Sequence, residues 1–234
     1  MPKRLTLVLL PGLDGTSILF RPFMQALPAW IQPRWVEYAS AGPHDYAGLL
    51  PEVRAACSGL SDFVILGWSF SGPLALMAAA ESPPGLRGLV ICASFVRAPL
   101  LPLRWLRWGA VAPLARLGPL LARVLMSIGG YGSDDLRNDQ AEIFRRVTAS
   151  AFAARARAAL GVDARAAAAS CRVPVLYLAA SQDIVVPRWN AAAVTAAVPH
   201  GEIVTIRGPH LALRTNPRAG ADAVAQFVAR LGST

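Results

Sequence analysis

Val64-Ile65-Leu66-Gly67-Trp68-Ser69-Phe70-Ser71-Gly72-Pro73 runs from an apolar, strand-like segment into Gly-x-Ser-x-small, and an Ala- and Leu-rich stretch follows at once. A strand that turns directly into a helix lifts the side chain at the turn out of the sheet, at the carboxyl ends of the strands. The residues two before and two after the serine come close together there, so both must be small. Gly67 and Ser71 meet that need, and Gly72 lets the helix pack tightly on the sheet. The N-terminus of such a helix sets oriented N–H groups and positive potential beside Ser69, where an oxyanion would form. Ser69 is the candidate nucleophile.

Outward from this turn, short β-rich runs alternate with helical stretches. Leu5–Leu10 is a continuous apolar run ended by Pro11-Gly12, as expected of a strand covered on both faces. A helix is predicted over Phe20–Leu27, a strand over Arg34–Ala39 and a helix over Tyr46–Leu60. A strand (Phe63–Leu66), a helix (Phe70–Glu81) and a strand (Arg87–Ala93) follow. Later come Val173–Ala179 (strand), Pro187–Ala197 (helix), Glu202–Ile206 (strand) and Pro217–Leu231 (helix, with Asn216-Pro217 as its start signal). This order predicts an α/β fold with a mostly parallel sheet of about six strands flanked by helices. From Phe95 to about Asp163 the alternation breaks. Phe95–Ser133 carries five Arg and no carboxylate, with Trp105 and Trp108 among several Leu and Pro, and reads as part of an inserted helical cap. The expected organisation is core over residues 1–96, cap over 97–163 and core again over 164–234.

Composition limits the alternatives. A chain of 234 residues that is 54% hydrophobic and 16% charged can bury a substantial core and is too apolar for disorder. The net charge of +9 does not call for a nucleic-acid partner: Lys3 is the only lysine, and abundant Arg with abundant Ala is what a GC-rich genome produces. No charge occurs over residues 63–80, yet Gly67, Ser69, Ser71, Gly72 and Pro73 interrupt that run, so no integral membrane segment is expected. Leu5–Leu10 is too short for a secretory signal. Cys57, Cys92 and Cys171 cannot all pair and show no CxxC spacing, which argues against a disulfide framework or a structural zinc and for a reducing, cytoplasmic setting.

Strand, turn and helix together resemble the nucleophile elbow of the α/β-hydrolase fold, with Ser71 standing where the usual signature has Gly. The resemblance spans Leu5–Val96 and Val173–Arg230. The family's leading hairpin is not expected, since the sequence enters on the strand that carries the oxyanion loop, which leaves about six strands. The family takes its general base from the loop after the last strand, in the chain order Ser, acid, His. That order selects His210, in Arg207-Gly208-Pro209-His210, over His200 in a Pro-His-Gly turn and over His44, which precedes the serine. Ser181-Gln182-Asp183-Ile184-Val185-Val186-Pro187 resembles the family's Gly-x-x-Asp-x-x-Val-Pro acid segment, with Ala180 in place of its Gly. It implies Asp183 as the acid, a residue that would also suit a helix cap. Families that take the acid one strand earlier would need a carboxylate in Cys92–Arg97, and none is there. Asp134, Asp135 and Asp139 are expected to be solvated in the cap. The implied oxyanion donors are the backbone N–H groups of Phe70 and of Leu13, the latter in the loop Leu10-Pro11-Gly12-Leu13-Asp14-Gly15-Thr16. Asp14 is expected to shape that loop without joining the triad.

The implied activity is serine carboxylesterase chemistry on a small-molecule ester of a small or medium acyl group, with no metal or organic cofactor. Dehalogenation would need Asp at the elbow. More narrowly, Leu66-Gly67-Trp68-Ser69 and Val185-Val186-Pro187-Arg188 resemble the pimeloyl-acyl-carrier-protein methyl ester esterases. A second reading therefore puts the acyl group on an acyl carrier protein or coenzyme A, drawn to the acid-free cap with Arg97, Arg104 and Arg107. A third, of another class, is a lipid-binding membrane-surface protein using Leu101–Leu125, which mixes Trp, Leu and Arg.

Overall fold

The computed structural model describes residues 4–99 and 134–231. Six strands form one sheet in the order β2-β1-β3-β4-β5-β6: β1 (Leu5–Leu10), β2 (Ile31–Trp35), β3 (Phe63–Trp68), β4 (Leu86–Cys92), β5 (Val175–Ala180) and β6 (Gly201–Ile206). Every neighbouring pair is parallel. The apolar runs of β1, β3, β4 and β5 are buried because helices cover both faces, and the strand period of two divides their side chains between the faces. Leu7, Leu9, Val64, Leu66, Leu176 and Leu178 enter one core, while Val8, Leu10, Phe63, Ile65, Val175 and Tyr177 enter the other.

Helices α1 (Arg21–Ala26) and α9 (Pro217–Leu231) cover the first face. In α9 the buried residues Gly220, Ala221, Val224, Phe227 and Val228 recur at helical spacing and form a single stripe. Helices α2 (Tyr46–Cys57), α3 (Gly72–Ala80) and α7 (Trp189–Ala197) cover the second face. Almost every side chain of α3 is buried, which explains why its sequence is apolar all round.

The second strand lies three residues earlier than the expected Arg34–Ala39. Its middle residue is Pro33, which a central strand would exclude, but β2 is the sheet edge, where one row of backbone groups has no ladder partner. Between β4 and β5 the described chain forms α4 (Asp134–Arg146), α5 (Ala149–Gly161) and α6 (Arg165–Ala169). An antiparallel bridge between Arg97 and Asp163 closes this interval at its base, flanked by Ala98 N–H to the Val162 carbonyl (3.1 Å) and Ala164 N–H to the Val96 carbonyl (2.8 Å). Leu101–Leu125, with Arg104 and Arg107, lies outside the described residues. Among the described residues no helix is long and apolar enough to cross a membrane.

With β1 second in the sheet and β2 at the edge beside it, the chain's excursions diverge between β1 and β3. In open α/β sheets such a divergence leaves a crevice at the carboxyl ends of the strands. The loops after β1, β3, β5 and β6 all emerge at that end.

Candidate active site

Ser69 follows β3 directly and adopts φ +51, a left-handed conformation uncommon for a residue with a side chain. The sharpness of the turn is visible at Gly67. A Cβ there would lie 2.5 Å from the Ser71 carbonyl oxygen and 2.8 Å from the Ala75 Cβ. Gly72 is held to glycine by the loop after β4, since an added Cβ would run into the side chain of Ser94. Ser94 Oγ donates to the Ser69 carbonyl, and Tyr177 fixes Ser94 by donating to its carbonyl (2.7 Å) and accepting from its N–H (3.0 Å).

Three side chains distant in sequence meet above this turn. Ser69 Oγ lies 2.8 Å from His210 Nε2, and His210 Nδ1 lies 2.8 Å from Asp183 Oδ2. The imidazole and carboxylate side chains are 9% and 4% exposed, whereas Ser69 keeps partial access to solvent. With Nδ1–H donating to Asp183, Nε2 is left as an acceptor for the serine hydroxyl. His210 reaches this position from the loop after β6, where Gly208 at φ +151 turns the chain ahead of α8 (Ala212–Thr215). Asp183 lies in the loop after β5. Its Oδ1 accepts from the N–H groups of Val185 (2.9 Å) and Val186 (2.8 Å). Helix α7 begins only at Trp189, so the carboxylate closes an Asx-type turn and caps no helix.

The other candidates stand elsewhere. No described residue joins His44 or His200 to Ser69 by a hydrogen bond; burial lowers the His44 pKa, with the Arg155 charge adding to the effect. Asp139, expected to be solvated, is largely buried and pairs with Arg214 at 2.6 Å. Cys57, Cys92 and Cys171 are free and buried, and burial raises each thiol, that of Cys57 to about 11. At neutral pH they are therefore protonated and weak nucleophiles. Among the described residues no three His, Cys, Asp or Glu side chains gather as a metal site.

The loop after β1 runs beside the elbow: a Cβ on Gly12 would lie 3.9 Å from that of Ser69. Gly15, at φ +73, closes the loop by donating its N–H to the Gly12 carbonyl (3.0 Å). Asp14 is buried and accepts from the Thr16 N–H (2.9 Å) and hydroxyl. Ser71, at the position where Gly is more usual, donates its hydroxyl to the Pro11 carbonyl and pairs with Tyr38 Oη at 2.6 Å. Tyr46 Oη donates to the Phe70 carbonyl (3.0 Å), while its ring stacks on that of Phe70. Among the described residues the N–H groups of Leu13 and Phe70 have no hydrogen-bond acceptor.

Two contributors escape the sequence reading. Ser94 carries no motif. Arg155 is fully buried, and its guanidinium donates to the carbonyls of Leu13 (3.2 Å), Asp14 (2.8 Å), Tyr38 (3.3 Å) and Ala39 (3.0 Å). A faint signal exists for it, because Ala151, Phe152 and Arg155 fall at helical spacing on the buried face of α5.

Residues 6–223 match the model of the alpha/beta hydrolase family. The chain is 29% identical to the pimeloyl-[acyl-carrier protein] methyl ester esterase of Xanthomonas campestris pv. campestris, over an alignment covering 96% of this chain and 95% of that one. It superposes with TM-score 0.80 on the enol-lactonase from Burkholderia xenovorans LB400 at 16% identity, and with TM-score 0.80 on a bromoperoxidase from Bacillus anthracis at 12% identity. Each superposition covers 97% of this chain and 92% of the other, and shows a shared fold.

Proposed function

The chain belongs to the alpha/beta hydrolase family, and on that premise we propose that it is a serine esterase whose triad is Ser69, His210 and Asp183. The observation that carries the reading is the unbroken relay of two 2.8 Å contacts from the Ser69 hydroxyl through the His210 ring to Asp183. Ser69 Oγ attacks the ester carbonyl carbon as His210 Nε2 takes its proton, giving a tetrahedral oxyanion and an imidazolium. Asp183 remains ionised, holds Nδ1–H and stabilises the imidazolium. The N–H groups of Leu13 and Phe70, and the amino end of α3, stabilise the oxyanion; such donors are each worth about 3–4 kcal/mol in the transition state. Collapse breaks the C–O bond to the alcohol, which leaves with the proton from His210. Water, deprotonated by the same nitrogen, then attacks the acyl-enzyme and releases the carboxylic acid and free Ser69.

Ser69→Ala is expected to abolish nitrophenyl-ester turnover and fluorophosphonate labelling with the fold intact; a variant that still labels fully would overturn the assignment. A second reading, with the acyl group carried on an acyl carrier protein, is favoured by the 29% identity to a pimeloyl-[acyl-carrier protein] methyl ester esterase and by the Arg-rich, acid-free stretch beginning at Phe95. It requires carrier-bound methyl ester to be cleaved in preference to the free ester, with the preference weakening as salt rises.

A further inference from the structure

The guanidinium of Arg155 is fully buried, and its hydrogen bonds all go to backbone carbonyls; Asp14 and Glu52 act on its charge through space, which lessens the cost of burying it. Its acceptors are four backbone carbonyls, two on the loop after β1 and two on the loop after β2. The two loops are joined to each other as well, by Tyr38 N–H donating to the Gly15 carbonyl at 2.8 Å. Gly15 lies at φ +73, where a side chain is strained in any case, and the guanidinium occupies the space a Cβ would need.

Four consecutive carbonyls of the loop after β1 thus have donors. Pro11 is held by the Ser71 hydroxyl, Gly12 by the Gly15 N–H, and Leu13 and Asp14 by Arg155 Nη1. In a trans peptide the N–H points away from the carbonyl. With the Gly12 carbonyl turned inward to Gly15, the Leu13 N–H is turned outward. A flip of that peptide would have to break the grip on the neighbouring units first.

We propose that Arg155, assisted by Ser71, is a positioning residue that fixes the peptide planes of residues 11–15, so that the Leu13 N–H stays aimed at the carbonyl oxygen developing charge beside Ser69. This rests on the serine-esterase reading above and extends it: a residue of α5, in the interval between β4 and β5, sets the oxyanion geometry.

The test compares Arg155→Lys, Arg155→Ala and Ser71→Gly with the native chain. Measured are kcat and KM on a short nitrophenyl ester per titrated active site, affinity for an alkylboronic acid as a tetrahedral mimic, and thermal melting. Arg155→Lys and Arg155→Ala are expected to lower kcat by roughly tenfold to a hundredfold, as for an ångström-scale misplacement, with little change in KM and a parallel loss of boronate affinity. Millimolar guanidinium ion should restore part of the Arg155→Ala activity. Ser71→Gly should lose about threefold to tenfold in kcat, one neutral hydrogen bond's worth. If the variants melt lower but keep native kcat and boronate affinity per active site, Arg155 is structural filler and the proposal is overturned. Should neither Arg155 variant fold, Ser71→Gly decides: native kcat and boronate affinity there reject the proposal. Retained turnover in Ser69→Ala would instead reject the esterase reading itself.

Discussion

Asp183 divides its carboxylate, offering Oδ2 to His210 Nδ1 at 2.8 Å while Oδ1 holds the turn that places it there, through the amides of Val185 and Val186. Position and electrostatics therefore separate in two substitutions. Asp183→Asn keeps an oxygen for the two amides but presents N–H to the ring, favouring the wrong tautomer. Its kcat is expected to fall about 10³- to 10⁴-fold with melting close to native. Asp183→Ala loses the turn as well and should be less stable than the Asn variant by about 1–3 kcal/mol, the cost of unsatisfied amides, in urea titrations. Near-native turnover by the Asn variant would remove Asp183 from the mechanism.

Gly67 has a different constraint, purely of space. With the Ser71 carbonyl 2.5 Å and the Ala75 Cβ 2.8 Å from where a methyl would sit, Gly67→Ala must open the turn or push α3 away. A loss of about 1–3 kcal/mol is expected from overpacking. Fluorophosphonate labelling should slow in the folded fraction, because the serine moves with the turn. Native melting and labelling rate would show that the turn has slack.

Asp14 sets a pH dependence of stability. Burial raises its pKa above the ordinary 3.8, an effect that hydrogen bonds from Thr16 and the Arg155 charge only partly offset. The folded state then holds the proton more tightly than the unfolded one. The stabilisation is complete below the unfolded value near 3.8 and is lost as pH rises through the folded value. Asp14→Asn, which cannot ionise and still accepts from Thr16, is expected to gain in melting temperature relative to native as pH rises from 3.5 to 7. A constant difference over that window would mean that Asp14 keeps its unfolded pKa.

Much of this was readable in one dimension. Apolar runs of six residues, broken by Gly and Pro and alternating with Ala-rich stretches, specify a parallel sheet because burial on both faces is what such runs require. Strand β2 lies ahead of its expected place for a local reason: Pro33 reads as a break until the sheet edge is known. Ser69 and His210 stand beside strand ends, where a motif and an order can find them. Arg155 could not be found so, because its role depends on four carbonyls that belong to no side-chain pattern. Asp139 reads as solvated in the sequence because its partner, Arg214, lies far along the chain.

The bridge between Arg97 and Asp163 makes the intervening stretch a detour that departs and rejoins through one small doorway. Lengthening such an excursion costs chain entropy only slowly, about 0.6 kcal/mol per doubling. Natural or laboratory grafting could therefore exchange the stretch between Arg97 and Asp163 while β4 and β5 keep their register, provided the replacement again delivers a cation to the carbonyls of Leu13 and Asp14.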